Sequence, residues 1–439
     1  MIKKFTFVFL LTLVSQIISL FSISYVVKRN ATDSFIEFVA LLDSSYLIIN
    51  TILSFGIIQI ATREIVVVEK WRKIVEHTQN TRINFSYVLF IVGLIIYLIT
   101  KNHYFLVFLM SPLVALNVNY VFYAKGKPQV ATTNASIRLF ILSFSLVFLG
   151  AFQYFSNVIY FLFFILGLLY VAFVSNSVSK TRVNFKINPF FLKEYSKSVG
   201  VGLADLAIIF LEFGILFFAT FFYRDTIVAE AYILIKIITL VKGFQRMIFQ
   251  VFYDQLIEKE KTLFLDQIIL FSGFSFFSLT FFFSKEIMIL LYSKNDLILQ
   301  NNFVLFSLAL LIASIILASM ARTLIIKKDK TYIRSYLLSF VFSFVTMIVL
   351  SYSKIDNYGI SISLLVGELV LFLSFFIGIY KEIFVKKYIL VLLKFGILFI
   401  SYFLISKIFK EQVLFIIIIF SQLFFVAFFL FQNKKNSNK

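Results

Sequence analysis

Cysteine is absent from the 439-residue chain, so disulfides, thiolate metal sites and a cysteine nucleophile are excluded. Histidine occurs only at His77 and His103, with 25 residues and a hydrophobic stretch between them. That pair supports neither a histidine metal cluster nor a Ser-His-Asp triad. Charged residues make up 14% of the chain, well below the roughly 25% of soluble domains. There are three prolines and one tryptophan. No G-x-x-x-x-G-K-[ST] phosphate loop occurs, so the chain carries no ATPase of its own, and nothing in it calls for a cofactor or metal. What it has in abundance is apolar surface: 61% hydrophobic residues, 61 of all residues being Phe, and a mean hydropathy of +0.97. A water-soluble enzyme of this size could not bury so much, and a disordered chain would lack it. The lipid bilayer is the solvent this composition suits.

A span of the hydrocarbon core takes about 20 mostly apolar residues. Fourteen stretches qualify: 5–27, 36–61, 82–100, 103–124, 130–152, 157–178, 197–222, 227–253, 263–284, 303–326, 331–352, 358–380, 387–406 and 411–431. They predict an all-α integral membrane protein with about 14 transmembrane helices, twelve being the alternative count. The opening Met1-Ile2-Lys3-Lys4 reads as the flank of an uncleaved first helix, because the apolar run is too long for a signal peptide and no A-x-A site follows it. If the N-terminus is cytoplasmic, the inner segments hold 24 of the 41 Lys and Arg, the outer segments nine, and the spans eight. Cytoplasmic retention of basic loops therefore predicts both termini inside. It also accounts for the +19 charge and the pI of 9.7 without invoking nucleic acid. No loop exceeds 21 residues, which leaves little room for the extramembrane domain of a glycosyltransferase or polymerase. A helical bundle of this kind points to transport.

The longest basic inner loop, 179–196, divides the first twelve spans six and six. The expected units are an N-terminal six-helix lobe 1–188, a C-terminal six-helix lobe 189–380, and a helix pair with a basic tail 381–439. Each half has a short basic turn between its fourth and fifth spans, Ala124-Lys125-Gly126-Lys127-Pro128 and Lys327-Lys328-Asp329-Lys330. In the second span of each half an acid precedes an aromatic, at Glu37-Phe38 and Glu230-Ala231-Tyr232. Further signals are Tyr123-Ala124-Lys125-Gly126-Lys127 with Arg138 eleven residues on, Glu286-Ile287-Met288-Ile289-Leu290-Leu291-Tyr292-Ser293, and Tyr358-Gly359-Ile360-Ser361 followed by Glu368. In this order and spacing the chain resembles the Wzx-type polysaccharide flippases of the multidrug/oligosaccharidyl-lipid/polysaccharide exporter (MOP) superfamily. Ser293 stands where that family usually has glycine. The resemblance runs from about Lys4 to Tyr380. It implies two pseudo-symmetric lobes in a V-shaped alternating-access carrier of the bacterial cytoplasmic membrane. The implied substrate is an undecaprenyl-pyrophosphate-linked oligosaccharide. The implied partners are a polysaccharide polymerase and chain-length machinery.

Ionisable groups deep in a membrane are costly, and are paired, cavity-facing or functional. Arg82, Arg322 and Arg334 lie near the cytoplasmic ends of their spans and are expected to snorkel. Glu37 and Glu230 read as helix-start charges near the outer face. Glu212 falls near the middle of its span, with Asp205 seven residues earlier on the same helix face. Lys236 and Lys242 bracket the middle of the next span, where a Glu212–Lys236 or Glu212–Lys242 pair is geometrically reasonable. Arg138, Lys236, Lys242 and Arg246 are the candidates for a cationic cavity that meets an anionic pyrophosphate. Glu212, Glu368, Asp205 and Asp43 are the candidates for coupling to a proton or sodium ion. The competing role for all of them is a structural ion pair between packed helices. Asn117 and Asn119 are expected to bond between helices, and Pro112 to kink its span. The rival functions are a drug or amphiphile exporter of the same architecture, or an O-antigen polymerase or ligase. The first would favour an acidic cavity, and the second lacks its large outer loop.

Overall fold

The computed structural model describes residues 2–67, 69–187, 191–196, 198–251, 258–325, 328–379, 385–408 and 412–421, a few side chains within them excepted. These residues form helices and no strand. The first half contains α1 (Ile2–Lys28), α2 (Asp33–Ser54), α3 (Ile57–Val67), α4 (Trp71–Thr100), a 3-10 segment (His103–Met110), α5 (Ser111–Ala115), α6 (Tyr120–Ala124), α7 (Pro128–Ala151) and α8 (Asn157–Ser179). There follow α9 (Phe191–Ser196), α10 (Val199–Ile209), a π-helical turn (Phe210–Gly214), α11 (Ile215–Ala219), α12 (Asp225–Val251) and α13 (Lys259–Tyr292). The chain continues through α14 (Leu297–Ala313), α15 (Leu317–Ile325), α16 (Asp329–Ser351), α17 (Gly359–Ile379), α18 (Val385–Ile408) and α19 (Gln412–Ser421).

Ten helices are long and apolar enough to cross a bilayer, and α14 with α15 would make an eleventh across a 47° bend. The chain is a multi-pass membrane protein. All fourteen expected stretches fall on helical segments, and the three that fall short do so for separate reasons. The stretch 227–253 is one continuous helix, α12, as far as Val251, where its described part ends, but carries too many charges to pass as apolar. The stretch 103–124 is broken at Leu116–Asn119, between α5 and α6; Pro112 lies inside the continuous run Tyr104–Ala115, in the first turn of α5, where its missing N–H is tolerated. The last stretch is described only as α19.

Hydrophobic burial does not drive helices together in lipid, so close packing and interhelical hydrogen bonds must. Ser339 and Ser343 on α16 donate to the Gly367 and Ser363 carbonyls of α17 at 2.7 and 2.8 Å. In the first half α1 packs on α7 and α7 on α8, and in the second α13 packs on α14 and α16 on α17. The halves meet where α2 lies against α10 and α12. One contact there needs glycine twice over. Gly56, between α2 and α3, has φ +81°, and a Cβ on it would sit 2.8 Å from Ser198. Opposite it, a Cβ on Gly202 of α10 would sit 2.5 Å from the Phe55 ring.

Segments expected on the same side of the membrane do meet. Tyr104 reaches Glu37, Arg224 reaches Asp356, and Lys294 reaches Asp33, all between segments expected outside. Asn80 donates to the Asn184 and Lys186 carbonyls, and Lys125 to the Ile65 carbonyl, all between segments expected inside. The C-terminal pair is part of the body: Phe395 and Tyr402 of α18 and Leu414 and Ile418 of α19 pack on Leu270, Phe274 and Phe283 of α13.

Candidate functional site

Charges gather where α2 and α12 run side by side. Lys236, facing away from the lipid on α12, has its Nζ 2.7 Å from Asp43 Oδ2 on α2. Tyr232, one turn earlier on the same face, donates to the same oxygen at 2.7 Å. Lys236 also reaches Ser19 Oγ of α1 at 3.5 Å and lies over the Phe213 and Tyr232 rings at 5.3 and 5.1 Å. Both members of the pair are buried, with side chains 9% and 12% exposed. Nearby, the Arg138 guanidinium of α7 stacks on Tyr46 with its carbon 3.8 Å from the ring centre, and its Nη1 is buried with no hydrogen-bond partner. The planar guanidinium suits this stacked position as an ammonium would not.

A second pair lies farther along α12. Lys242 Nζ bonds Glu368 Oε1 of α17 at 3.0 Å. It and Glu368 share a cavity of about 170 Å³ with Glu212, Gln245, Tyr332 and Tyr336. Gln245 is tied to Ser272 and Ser314 at 3.0 and 2.8 Å. The cavity is walled by α10, the π turn, α12, α14, α15, α16 and α17, and Gln245 ties it to α13.

The expected pairing of Glu212 with Lys236 or Lys242 gives way to Lys236–Asp43 and Lys242–Glu368, because α12 packs against α2 and its Lys242 side chain reaches across to α17. Asp205 and Glu212 do not act on one face either. The π turn at Phe210–Gly214 offsets the register between them. Asp205 accepts from Gln59 of α3 at 2.5 Å, while Glu212 lines the Lys242–Glu368 cavity. Arg246 lies on α12, but its side chain is outside those described.

Arg82 departs most from expectation. Rather than snorkelling, it is fully buried and donates to the Asn117 carbonyl at 2.6 Å, Asn50 Oδ1 at 3.2 Å and the Val114 carbonyl at 3.4 Å. The break between α5 and α6 frees these carbonyls, and a guanidinium with several donors is the side chain that can hold them. Glu37, expected to be a helix-start charge, is 3% exposed and accepts from Tyr104 at 2.7 Å. Arg334 is exposed, as snorkelling requires. Asn119 makes the expected interhelical bond, to Asn134 at 3.0 Å. Asp266 escaped notice although it is an acid inside an apolar stretch, which is a readable signal. It is 1% exposed and caps α15 by accepting from the Ala318 and Ser319 N–H groups at 2.7 and 3.2 Å, with the Tyr388 hydroxyl of α18 on the same carboxylate. Among the described residues no three His, Asp or Glu side chains group as a metal site.

The helical bundle, with charges paired between its two halves, shares its fold with a solved flippase structure. The solved structure titled lipid II flippase MurJ, inward closed conformation, superposes with a TM-score of 0.72 at 16% identity, over 96% of this chain and 98% of that one. An outward-facing multidrug resistance MATE transporter gives 0.48 at 13% identity, covering 84% and 95%. A MOP-superfamily transporter from Pyrococcus furiosus gives 0.47 at 11% identity, covering 86% and 94%. These neighbours are transporters and a flippase rather than enzymes. No protein-family model and no curated protein matches the sequence.

Proposed function

We propose that the chain is an alternating-access flippase of the bacterial cytoplasmic membrane, with both termini cytoplasmic and 14 spans. It would turn undecaprenyl-pyrophosphate-linked oligosaccharide units of O-antigen or another surface polysaccharide from the inner to the outer leaflet. Lobes 1–188 and 189–380 would rock about the α2–α12 contact, with 381–439 attached to the second. The observation that carries this reading is the buried Lys236–Asp43 pair. It sits between helices of the two halves, where repeat-built carriers hold their substrates. Lys242, which lines the cavity of the second pair, and Arg138, stacked on Tyr46, would add to the cationic groups of a substrate cavity, and Arg246 is placed there by sequence alone. A pyrophosphate entering such a cavity replaces carboxylates as the partner of these cations, which lowers its cost of leaving water. Asp43 and Glu368 are then released, and with Glu212 and Asp205 are the groups through which a proton or sodium ion would couple. The kinship of fold with a lipid II flippase supports a lipid-linked substrate. Polymerase and chain-length proteins would receive the product.

The test is transport by the purified chain in liposomes carrying a fluorescent undecaprenyl-pyrophosphate oligosaccharide, with the glycan's leaflet read by an added lectin. Protein-dependent exposure that responds to an imposed proton or sodium gradient is expected. No exposure beyond protein-free liposomes, together with efflux of a cationic dye, would overturn the reading in favour of drug export.

A further inference from the structure

A larger cavity, of about 340 Å³, lies apart from both ion pairs. Asn50 and Thr51 in its wall stand seven and eight residues past Asp43 on α2, about 10–12 Å farther toward the inner side. Its remaining walls come from α3, α4, α10 and the broken segment around α6, so both halves of the chain build it. Volumes of about 300–1,000 Å³ are usual for small-ligand sites.

The chemistry of the walls narrows the ligand. Arg82 is held on its Nη atoms by two carbonyls and the Asn50 side chain, while its Nε is buried with no partner. Among the described residues no carboxylate is paired with it. Gln59 donates to Asp205 through Nε2 and leaves its Oε1 buried and unpartnered. An unused donor and an unused acceptor thus lie buried in residues of the cavity wall, beside a carboxylate. Unpaired buried polar groups cost about 1–3 kcal/mol each, so a ligand that pairs both is favoured. The pyrophosphate diester of a lipid-linked sugar has only acceptors at neutral pH and would face the Gln59 carbonyl and the Asp205 carboxylate. A sugar hydroxyl donates and accepts at once. Tyr123, 56% exposed at the edge, adds an aromatic face of the kind that sugar rings lie against.

We propose that this cavity is a sugar-binding subsite. It takes a hydroxyl-rich ring of the head group, with Arg82 donating to a ring oxygen or hydroxyl and with Gln59 and Asp205 accepting from hydroxyls. This deepens the flippase reading and rests on it. The pyrophosphate meets Lys236 and Lys242, and the glycan is selected one to two helical turns away, by groups that carry no net charge between them.

The experiment is saturation-transfer NMR on the full chain in detergent with free glucose, galactose, N-acetylglucosamine and rhamnose, beside the liposome assay. At least one sugar is expected to give a saturable signal that Gln59→Leu weakens tenfold or more, at a temperature where the variant, which also loses the single bond to Asp205, is still fully folded. Gln59→Leu should also raise the KM for the lipid-linked substrate without lowering kcat in proportion. Arg82→Gln strips three hydrogen bonds from the fold, so the Gln59 variant decides. No saturable signal from any of the sugars, or a signal undiminished in Gln59→Leu, overturns the subsite. If the wild type flips and Gln59→Leu leaves KM unchanged, the subsite fails and the transport reading stands. If no lipid-linked glycan is moved but sugar binding depends on Gln59, the transport reading fails and the subsite stands.

Discussion

Removing the Asp43 carboxylate isolates the Lys236 ammonium between α2 and α12. The pair is 2.7 Å long and nearly closed to solvent, so screening discounts it little. Breaking a buried pair from one side costs about 3–5 kcal/mol, since the surviving charge keeps its desolvation penalty. At about 1.4 kcal/mol per decade this is a shift of roughly a hundredfold to several thousandfold in the folded population. Asp43→Ala should fall at the upper end. Asp43→Asn should fall lower, because the amide oxygen still accepts from Tyr232 and Lys236, though a neutral acceptor makes a bond about half as strong. Removing both charges in Asp43→Asn/Lys236→Met should recover most of the loss, as apolar replacements of buried pairs commonly do. The assay is a double-mutant cycle on thermal unfolding in detergent, with a coupling of about 2 kcal/mol or more expected. A coupling within about 0.5 kcal/mol of zero would refute the structural reasoning, since that is the additivity of sites not in contact. The double variant should still be inactive in the liposome assay. Normal transport by it would mean the pair only holds helices together.

Two further outcomes follow from other contacts. Lys242→Ala should insert normally in the membrane yet fail to restore surface polysaccharide in cells lacking the native gene; full restoration would remove Lys242 from the substrate path. Asp266→Ala leaves the α15 N–H groups uncapped in a buried setting and should cost at least about 0.5–2 kcal/mol, read as a lowered melting temperature, and an unchanged melt would mean the cap is not formed.

The helices were legible because an apolar run of sufficient length has few alternatives in lipid, and the basic loops ordered them into two sides whose members do meet. Breaks were not legible: Pro112 lies inside the continuous run Tyr104–Ala115, and the chain breaks only after Ala115. The turn at Phe55–Gly56 and the bend after Ala313 depend on what packs against them. The charged residues could be found, but their partners could not: Lys236 and Asp43 are 193 residues apart and Lys242 and Glu368 126, and no local periodicity links such positions. Arg82 was misjudged because distance from a span's end says nothing of whether carbonyls are waiting inside. Asp205 and Glu212 were placed together because seven residues make two turns only in an unbroken α-helix.

That π turn, Phe210–Gly214, has a consequence for how the protein is compared with its relatives. One residue accommodated inside a helix is, in genetic terms, a single inserted codon in the middle of a span. Relatives with a regular helix there would be one residue shorter, and the gap would fall inside an apolar segment, where alignments are least inclined to open one. Aligned without that gap, each residue after that point would be offset by one position, or about 100° around the helix. Matching such chains by sequence position across this helix would therefore equate residues that do not share a role.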